Sequence, residues 1–250
     1  MTDQDKARNA ARLLEQLQRN QALYNSSAAG LERELRLLRR WQSARLARTY
    51  ADLLQNARYR PAAEFFLGEL YGDGDLGQRE QDLARIVPMM THILPGHVLY
   101  TTALALELDA LSHELDIRLT RILVTEFDMC DTLDEATYIA AYRQCARYEQ
   151  RSYQIELVEH LGRDLQSIVP RRFIHTALKL AKTPARLAGL AELHRFLSTG
   201  FEAFRSMGAG AETFITTITR RERAILERIR SGQPQPLEWD SAPDYTASAC

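Results

Sequence analysis

Residues 31–54 read LERELRLLRRWQSARLARTYADLL, and the spacing of the apolar side chains in this stretch decides the class of fold. Leu31, Leu35 and Leu38 recur at steps of three and four residues. The same spacing continues through Trp41, Leu46, Tyr50, Leu53 and Leu54. Apolar side chains at such steps lie on one side of an α-helix, whereas a half-buried strand would alternate them strictly. The stretch therefore predicts a long helix with one apolar face.

Another helix is expected before this one. Leu13, Leu17 and Tyr24 form its apolar face, and a polar loop at residues 25–27, followed by Gly30, ends it. A short connection between two helices makes them antiparallel neighbours. We therefore expect a long N-terminal helical hairpin.

Helical spacing predominates in the rest of the chain as well, and strand-like alternation is nearly absent. The expected helices cover residues 78–94, 97–128 and 135–161, with Gly162 as an end or interruption. Pro170 should open a further helix, Thr183-Pro184 should close it and start the next, and Gly200 and residues 208–210 should interrupt the remainder before a last helix to about Arg230. We predict an all-α, single-domain multi-helix bundle over residues 1–230.

The last segment, residues 231–250, differs in composition from the rest. It contains Pro234, Pro236 and Pro243 and few aliphatic residues. Such a segment has little apolar surface to bury, so we predict a disordered C-terminal tail.

Composition and charge restrict the partners of the protein. The formal net charge is -1 and the sequence pI is about 6.6, which argues against a nucleic-acid binder because such a protein needs surplus Lys and Arg. Cys130, Cys145 and Cys250 show no paired spacing, and the first residues are too polar for a secretory signal. We therefore expect a cytoplasmic protein in a reducing environment.

One uncharged stretch, residues 86–106, approaches the length that a membrane-spanning helix needs. Pro88, Pro95 and Gly96 interrupt it, and several Thr and His residues make it too polar for lipid. We predict a helix, a Pro-Gly turn and a buried helix in its place, and no transmembrane segment.

The densest aromatic stretch is Phe-Phe-Leu-Gly-Glu-Leu-Tyr at residues 65–71. Its apolar residues cover much of a helix circumference, which predicts burial on several sides and a central place between the hairpin and the later helices. The core of this motif is Phe65, Phe66, Leu67, Glu69, Leu70 and Tyr71. Glu64 and Glu69 could pair with arginines such as Arg45, Arg58 or Arg60, and a catalytic glutamate with a raised pKa is the alternative.

The stretch ending in Gly72 resembles the sequence that names the FFLEELY-motif proteins, a proteobacterial family. The segments at 48–53, 200–204 and 221–222, together with Arg79, Asp82 and Arg85, are similar as well. Gly68 stands where the name-giving motif has its first glutamate, and Asp73 stands where a proline is expected. The resemblance implies an all-α bacterial protein and implies no particular reaction.

Two further groups of charged residues follow helical spacing. Arg79, Asp82 and Arg85 lie three residues apart, and with Arg58 they are expected to form an ion-pair or polar network. A basic face is formed by Arg172, His175, Lys179 and Lys182, at steps of three, four and three residues. This face could be an ordinary solvated surface, or it could bind a phosphate-bearing ligand, an acidic partner, an anionic membrane surface or the acidic stretch 126–135 of another subunit.

The sequence contains no signature of a common catalytic class. It lacks a nucleophile elbow, a phosphate-binding loop and a paired Cys-His arrangement. Asp109, His113 and Asp116 share one helix face, but we interpret them as a solvated face with local hydrogen bonds, and we predict no metal and no cofactor.

Two hypotheses about function remain. The first is a protein- or ligand-binding module without catalytic activity, which takes a protein partner, a second copy of itself or a small anionic ligand. The alternative is a helical enzyme or cofactor carrier with a buried polar site where Glu69 and Tyr71 meet His92, His97 or His113.

Overall fold

The computed structural model describes residues 3–26, 30–70 and 76–239, and this part of the chain is helical without a strand. The helices are α1 (Asp3–Ser26), α2 (Glu32–Thr49), α3 (Ala51–Gln55), α4 (Arg60–Phe65), α5 (Leu76–Ile93), α6 (Gly96–Phe127), α7 (Glu135–Cys145), α8 (Tyr148–Ile168), α9 (Arg172–Leu187), α10 (Ala191–Met207) and α11 (Ala211–Arg230). A π-helical turn (Phe66–Leu70) continues α4, and a 3-10 turn (Gly208–Gly210) precedes α11. The prediction of an all-α, single-domain bundle is confirmed.

The central element is α6, against which the two N-terminal helices, α1 and α2, pack separately. Helix α1 runs parallel to its first half, where Asn20 Nδ2 donates to the Leu106 carbonyl at 3.0 Å. Helix α2 runs antiparallel to its second half, where Leu38 packs with Leu119 and Leu123. The long α6 is apolar on several sides because it is covered by α1, α2, α7 and α8.

The C-terminal half is organised by the contact between α8 and α11. Gly162 lies inside α8, where a Cβ atom would stand 2.7 Å from Ile215 Cγ1 of α11. The expectation that Gly162 ends a helix is therefore wrong. The break comes earlier, because Ala146 adopts a left-handed conformation (φ 49°) that closes α7.

Two other expected helix boundaries are also wrong. Thr183-Pro184 lies inside α9, which ends instead before Gly189 at φ +74°. Gly200 lies inside α10, where the Phe65 ring fills the space that a larger side chain at position 200 would occupy. Gly208, at φ +54°, does end α10 as expected.

The structure describes residues 231–239 of the predicted tail, and these pack on the core. Leu237 is 6% exposed and joins the apolar cluster of α2, α6, α7 and α11. The Trp239 ring lies 4.9 Å from the Arg228 guanidinium, and the Arg143 guanidinium donates to the Gln233 carbonyl. The remaining residues, 240–250, lie outside the described part.

The uncharged stretch 86–106 contains the end of α5, a break at residues 94–95 and the start of α6, as expected from Pro95 and Gly96. Pro88, which was also expected to interrupt the stretch, lies inside α5. Within the described residues, none of the helices combines the length and the apolar character needed to cross a bilayer.

Candidate functional site

A polar cavity of about 80 Å³ lies in the interior, between α2, α6, α7, α8 and α11. Helical periodicity brings one or two polar residues from each of these helices to its wall. The charged and amide side chains at the wall are Gln42, Arg45, Asp116, Arg151, Gln154 and Glu222. Tyr50, Tyr138 and Tyr142 contribute three hydroxyl-bearing rings. Because few buried surfaces carry this many polar groups, the cavity is the strongest candidate site.

Arg45 and Glu222 form the first charged pair of the wall. The two guanidinium Nη atoms of Arg45 donate to the two carboxylate oxygens at 2.7 and 3.2 Å, and the Tyr50 hydroxyl donates to the same carboxylate at 2.8 Å. Burial by itself would lower the pKa of Arg45, but the Glu222 carboxylate raises it above its ordinary value. Arg45 therefore stays charged at neutral pH.

Asp116 carries the second charge of the wall and is held from two sides. Gln42 Nε2 donates to Asp116 Oδ1 at 3.2 Å, and Arg39 Nε lies 3.6 Å from Oδ2. The Arg39 guanidinium also contacts His113, whose ring stacks on Tyr24 at 4.1 Å. Burial, with the neighbouring arginine, lowers the pKa of His113 to about 4. The face of Asp109, His113 and Asp116 is thus not a solvated one: His113 and Asp116 belong to a buried network.

Arg151 extends from α8 and differs from the other charged groups of the wall. Its Nη1 donates to Gln154 Oε1 at 3.2 Å, and its guanidinium lies 5.2 Å from the centre of the Tyr142 ring. Gln154 is fixed in turn by a 2.7 Å bond to Ser112 Oγ. In the part of the chain that the structure describes, no carboxylate lies within ion-pair distance of Arg151. The charged wall residues are thus two cations and two carboxylates. Although burial would lower the pKa of Arg151, an interaction with Asp116 at longer range helps to raise it.

Two buried polar atoms of the wall have no hydrogen-bond partner among the described residues: Gln42 Oε1 and Arg45 Nε. Gln42 is 5% exposed and Arg45 is 9% exposed, so bulk water does not satisfy them. A buried polar atom without a partner costs about 1 to 3 kcal/mol. One acceptor and one donor are thus left for a small polar molecule.

Comparison with known proteins places the chain in a family. The model of a family described as a domain of unknown function, DUF8198, matches residues 21–236. The chain belongs to this family. No curated protein and no solved structure matches it. The matched residues include the cavity wall except for Leu237. The resemblance to FFLEELY-motif proteins stays a prediction.

The family match also contains the aromatic motif, which contributes to the cavity and to the core. Phe66 lies at the cavity wall, whereas Phe65 packs on Phe196 and Gly200 of α10, and Leu67 packs on the core cluster around Tyr50. Tyr71 and the side chains of Glu69 and Leu70 lie outside the described residues. The motif thus connects the cavity with α10.

The structure brings together only part of the expected ion-pair network. Asp82 is buried and lies 3.8 Å from Arg85, whose guanidinium also donates to the Ala188 carbonyl at 2.8 Å. Arg58 lies elsewhere, with its side chain beside Gly210. The side chain of Arg79 is outside the described part.

The expected basic face is divided by the packing of α9. Arg172, Lys179 and Lys182 are exposed, whereas His175 turns inward and stacks on Phe201 at 6.1 Å. The grouping of His175 with the three cations is therefore wrong.

Two of the three histidines of the alternative hypothesis, His97 and His113, lie far apart. His92 is exposed near the end of α5, and His97 contacts Arg171 at the start of α6. His113 lies sixteen residues further along the same helix, about 24 Å away at the helical rise. Among the described residues, moreover, no group of three or more His, Cys, Asp or Glu side chains is arranged to hold a metal ion.

Sequence reasoning did not identify Arg151 and Gln42 as site residues. No motif marks them, because their neighbours in the cavity come from distant parts of the chain. A stronger signal exists for Glu222, because the segments at 48–53 and 221–222 both resemble the FFLEELY-motif proteins. These segments meet: Arg221 donates to both Asp52 oxygens at 2.8 Å and to the Thr49 carbonyl.

Proposed function

We propose that this protein binds a small oxyanion, such as phosphate or a short carboxylate, in the polar cavity, and that it does so without catalysing a reaction. The observation that carries the proposal is Arg151, a half-buried cation at the wall without a carboxylate in direct contact. By contrast, Arg45 pairs with Glu222, and Asp116 pairs with Arg39. A half-buried cation is stabilised by an anion within a few ångströms, because its surroundings screen charge less than bulk water does.

The hydrogen-bonding groups of the wall fit the same ligand. An oxyanion offers acceptors to Arg151 and to Arg45 Nε, and a protonated oxygen or a bound water offers a donor to Gln42 Oε1. The volume of about 80 Å³ corresponds to roughly two or three water volumes at about 30 Å³ each, so it favours a ligand of a few atoms.

The tyrosines of the wall support binding in preference to proton transfer. Burial raises the pKa of Tyr138 and Tyr142, so their hydroxyls stay protonated at neutral pH. A protonated hydroxyl can donate to an anion, whereas a general base needs a pKa close to the working pH.

Titration of the purified protein with inorganic phosphate, and separately with acetate, tests the proposal. Ionic strength is held constant with NaCl. Calorimetry measures the affinity, and the fluorescence of Trp41, whose ring stacks on Tyr138 at 4.1 Å, gives a second readout. We expect saturable binding of at least one of the two anions and an affinity at least tenfold lower in Arg151→Gln, because one charge-assisted contact is lost.

The matched control is Arg147→Gln, which removes an exposed cation at the start of the same helix. This variant should bind like the unaltered protein. If NaCl alone gave the same binding heat as phosphate or acetate, the cavity would not select oxyanions. An Arg151→Gln variant with full affinity would contradict the role of Arg151.

The existence of a protein partner or a homo-oligomer stays a prediction, and the contacts at the cavity give no support for either one. Light scattering of the purified protein over a range of concentrations measures the oligomeric state directly.

A further inference from the structure

Helix α9 exposes a line of large apolar side chains. Phe173 is 55% exposed, Leu180 is 73% exposed and Leu187 is 80% exposed. They are spaced seven residues apart, which is two helical turns, so the three side chains lie along one side of the helix over about 21 Å. Isolated exposed leucines are common on protein surfaces, whereas an aligned series of them marks an interaction surface.

This line is separate from the side of α9 that packs on the protein. Ile174 and Leu178 are half-buried, and the Leu178 carbonyl accepts a bond from His194 of α10 at 2.8 Å. The His175 ring also stacks on Phe201 of α10. The contacts to α10 thus hold α9 in place and leave the exposed line uncovered by the described residues.

Exposed cations accompany the apolar line. They are Arg171, Arg172, Lys179, Lys182 and Arg186. Between Asp164 and Glu192 the sequence contains no acidic residue, although the chain as a whole carries a net charge of -1. Glu192 itself pairs with Arg195 at 3.0 Å. The surface of α9 is therefore both apolar and strongly basic.

We propose that α9 binds the surface of an anionic lipid bilayer, lying in the plane of the headgroups. An interfacial helix has apolar side chains along one face and Lys or Arg along the polar face, and it needs both the apolar and the electrostatic contribution for stable binding. Lysine and arginine side chains reach the headgroups while the leucines enter the acyl boundary. This inference is independent of the cavity and goes beyond the proposed function.

The charges favour a bilayer over a second copy of the chain. Two α9 surfaces facing each other would bring together like charges, which is unfavourable. Pairing with the acidic stretch of another copy is also disfavoured, because three of its five carboxylates have partners within the chain. Asp131 pairs with Arg33, Glu135 pairs with Arg48 at 3.6 Å, and Asp134 caps α7.

Cosedimentation with lipid vesicles tests the proposal. Vesicles of mixed phosphatidylcholine and phosphatidylglycerol should pellet the protein, and vesicles of phosphatidylcholine alone should not. Raising NaCl from about 0.1 M to about 1 M should release most of the bound protein, because the screening length falls from about 10 Å to about 3 Å.

Two sets of variants separate the two contributions. A triple variant that removes three cations of α9 should bind the mixed vesicles about 100-fold more weakly. Its changes are Lys179→Gln, Lys182→Gln and Arg186→Gln. The matched control, Arg36→Gln with Arg147→Gln and Arg205→Gln, removes the same charge from other exposed positions and should bind normally. Leu180→Ser with Leu187→Ser should also lose binding, whereas Ile93→Ser, a change at another exposed apolar residue, should retain it.

Binding that is equal with and without phosphatidylglycerol, or that survives both α9 variants, would overturn the proposal. A dimer in light scattering that Leu180→Ser with Leu187→Ser abolishes would overturn it as well and would assign the surface to a second copy. Circular dichroism melting of each variant shows that the fold is retained, since all of these side chains are exposed.

Discussion

At the scale of single residues, the ion pair between Asp52 and Arg221 is the most deeply buried in the described structure. Both side chains are almost without exposed surface, and they form two parallel hydrogen bonds of 2.8 Å. The Arg221 guanidinium also lies between the rings of Tyr50 and Trp239. The pair thus connects α3 to α11 beside the cavity. Buried charges of this kind are tolerated only when each has its partner.

We therefore expect Asp52→Asn to lower the free energy of unfolding by about 3 kcal/mol, because it leaves the Arg221 charge buried without a carboxylate. Urea denaturation measures the change. Glu192→Gln, which removes one member of the exposed pair with Arg195, should change stability by less than about 1 kcal/mol. Equal effects of the two variants would mean that the buried pair is no more important than a surface pair.

At the scale of elements, glycines inside helices mark the closest contacts of the bundle. A Cβ at Gly162 would stand 2.7 and 2.8 Å from two atoms of Ile215, and Ile215 is itself buried in α11. A Cβ at Gly68, in the π-helical turn, would meet nothing within 4 Å. The same substitution should therefore have opposite effects at the two positions.

Gly162→Ala should destabilise the protein by about 1 to 2 kcal/mol, because overpacking between α8 and α11 outweighs the better helix propensity of alanine. Gly68→Ala should be neutral or stabilising by up to about 1 kcal/mol, because only the propensity changes. Thermal denaturation of both variants measures the difference. A stabilised Gly162→Ala variant would show that α8 and α11 can separate without cost.

At the scale of the whole molecule, the domain extends past its last helix. Residues 231–239 return to the bundle and place Leu237 and Trp239 on the cluster formed by α2, α6, α7 and α11. The Arg228 guanidinium donates to the Glu238 carbonyl at 2.9 Å, which holds this segment against α11. The boundary of the folded unit is thus set by these contacts and not by the composition of the segment.

A chain that ends at Arg230 should lose about 2 to 4 kcal/mol of stability relative to a chain that ends at Trp239, because the cluster loses a buried leucine and most of a tryptophan. Urea denaturation of the two shortened chains compares them directly. Identical midpoints would show that residues 231–239 add nothing to the domain.

Much of this architecture follows from the sequence. The three- and four-residue spacing of apolar side chains determines the all-α class, and Pro95 with Gly96 determines the break between α5 and α6, because both act through local backbone geometry. The boundaries expected at Gly162, Pro184 and Gly200 were wrong. At Gly162 and Gly200 a side chain from another helix fills the space beside the glycine, so packing outweighs its low helix propensity. At Pro184 no contact of this kind among the described residues accounts for the continued helix.

Local spacing along the chain accounts for the all-α class and for the cationic character of α9. The packing of the helices settles which side of α9 is exposed and which charged groups share the cavity. Those groups come from distant parts of the chain: Arg45 and Glu222 are 177 residues apart, and Gln42 and Asp116 are 74 apart. Periodicity assigns a residue to a face of its own helix, whereas the partner of that face depends on how the helices pack.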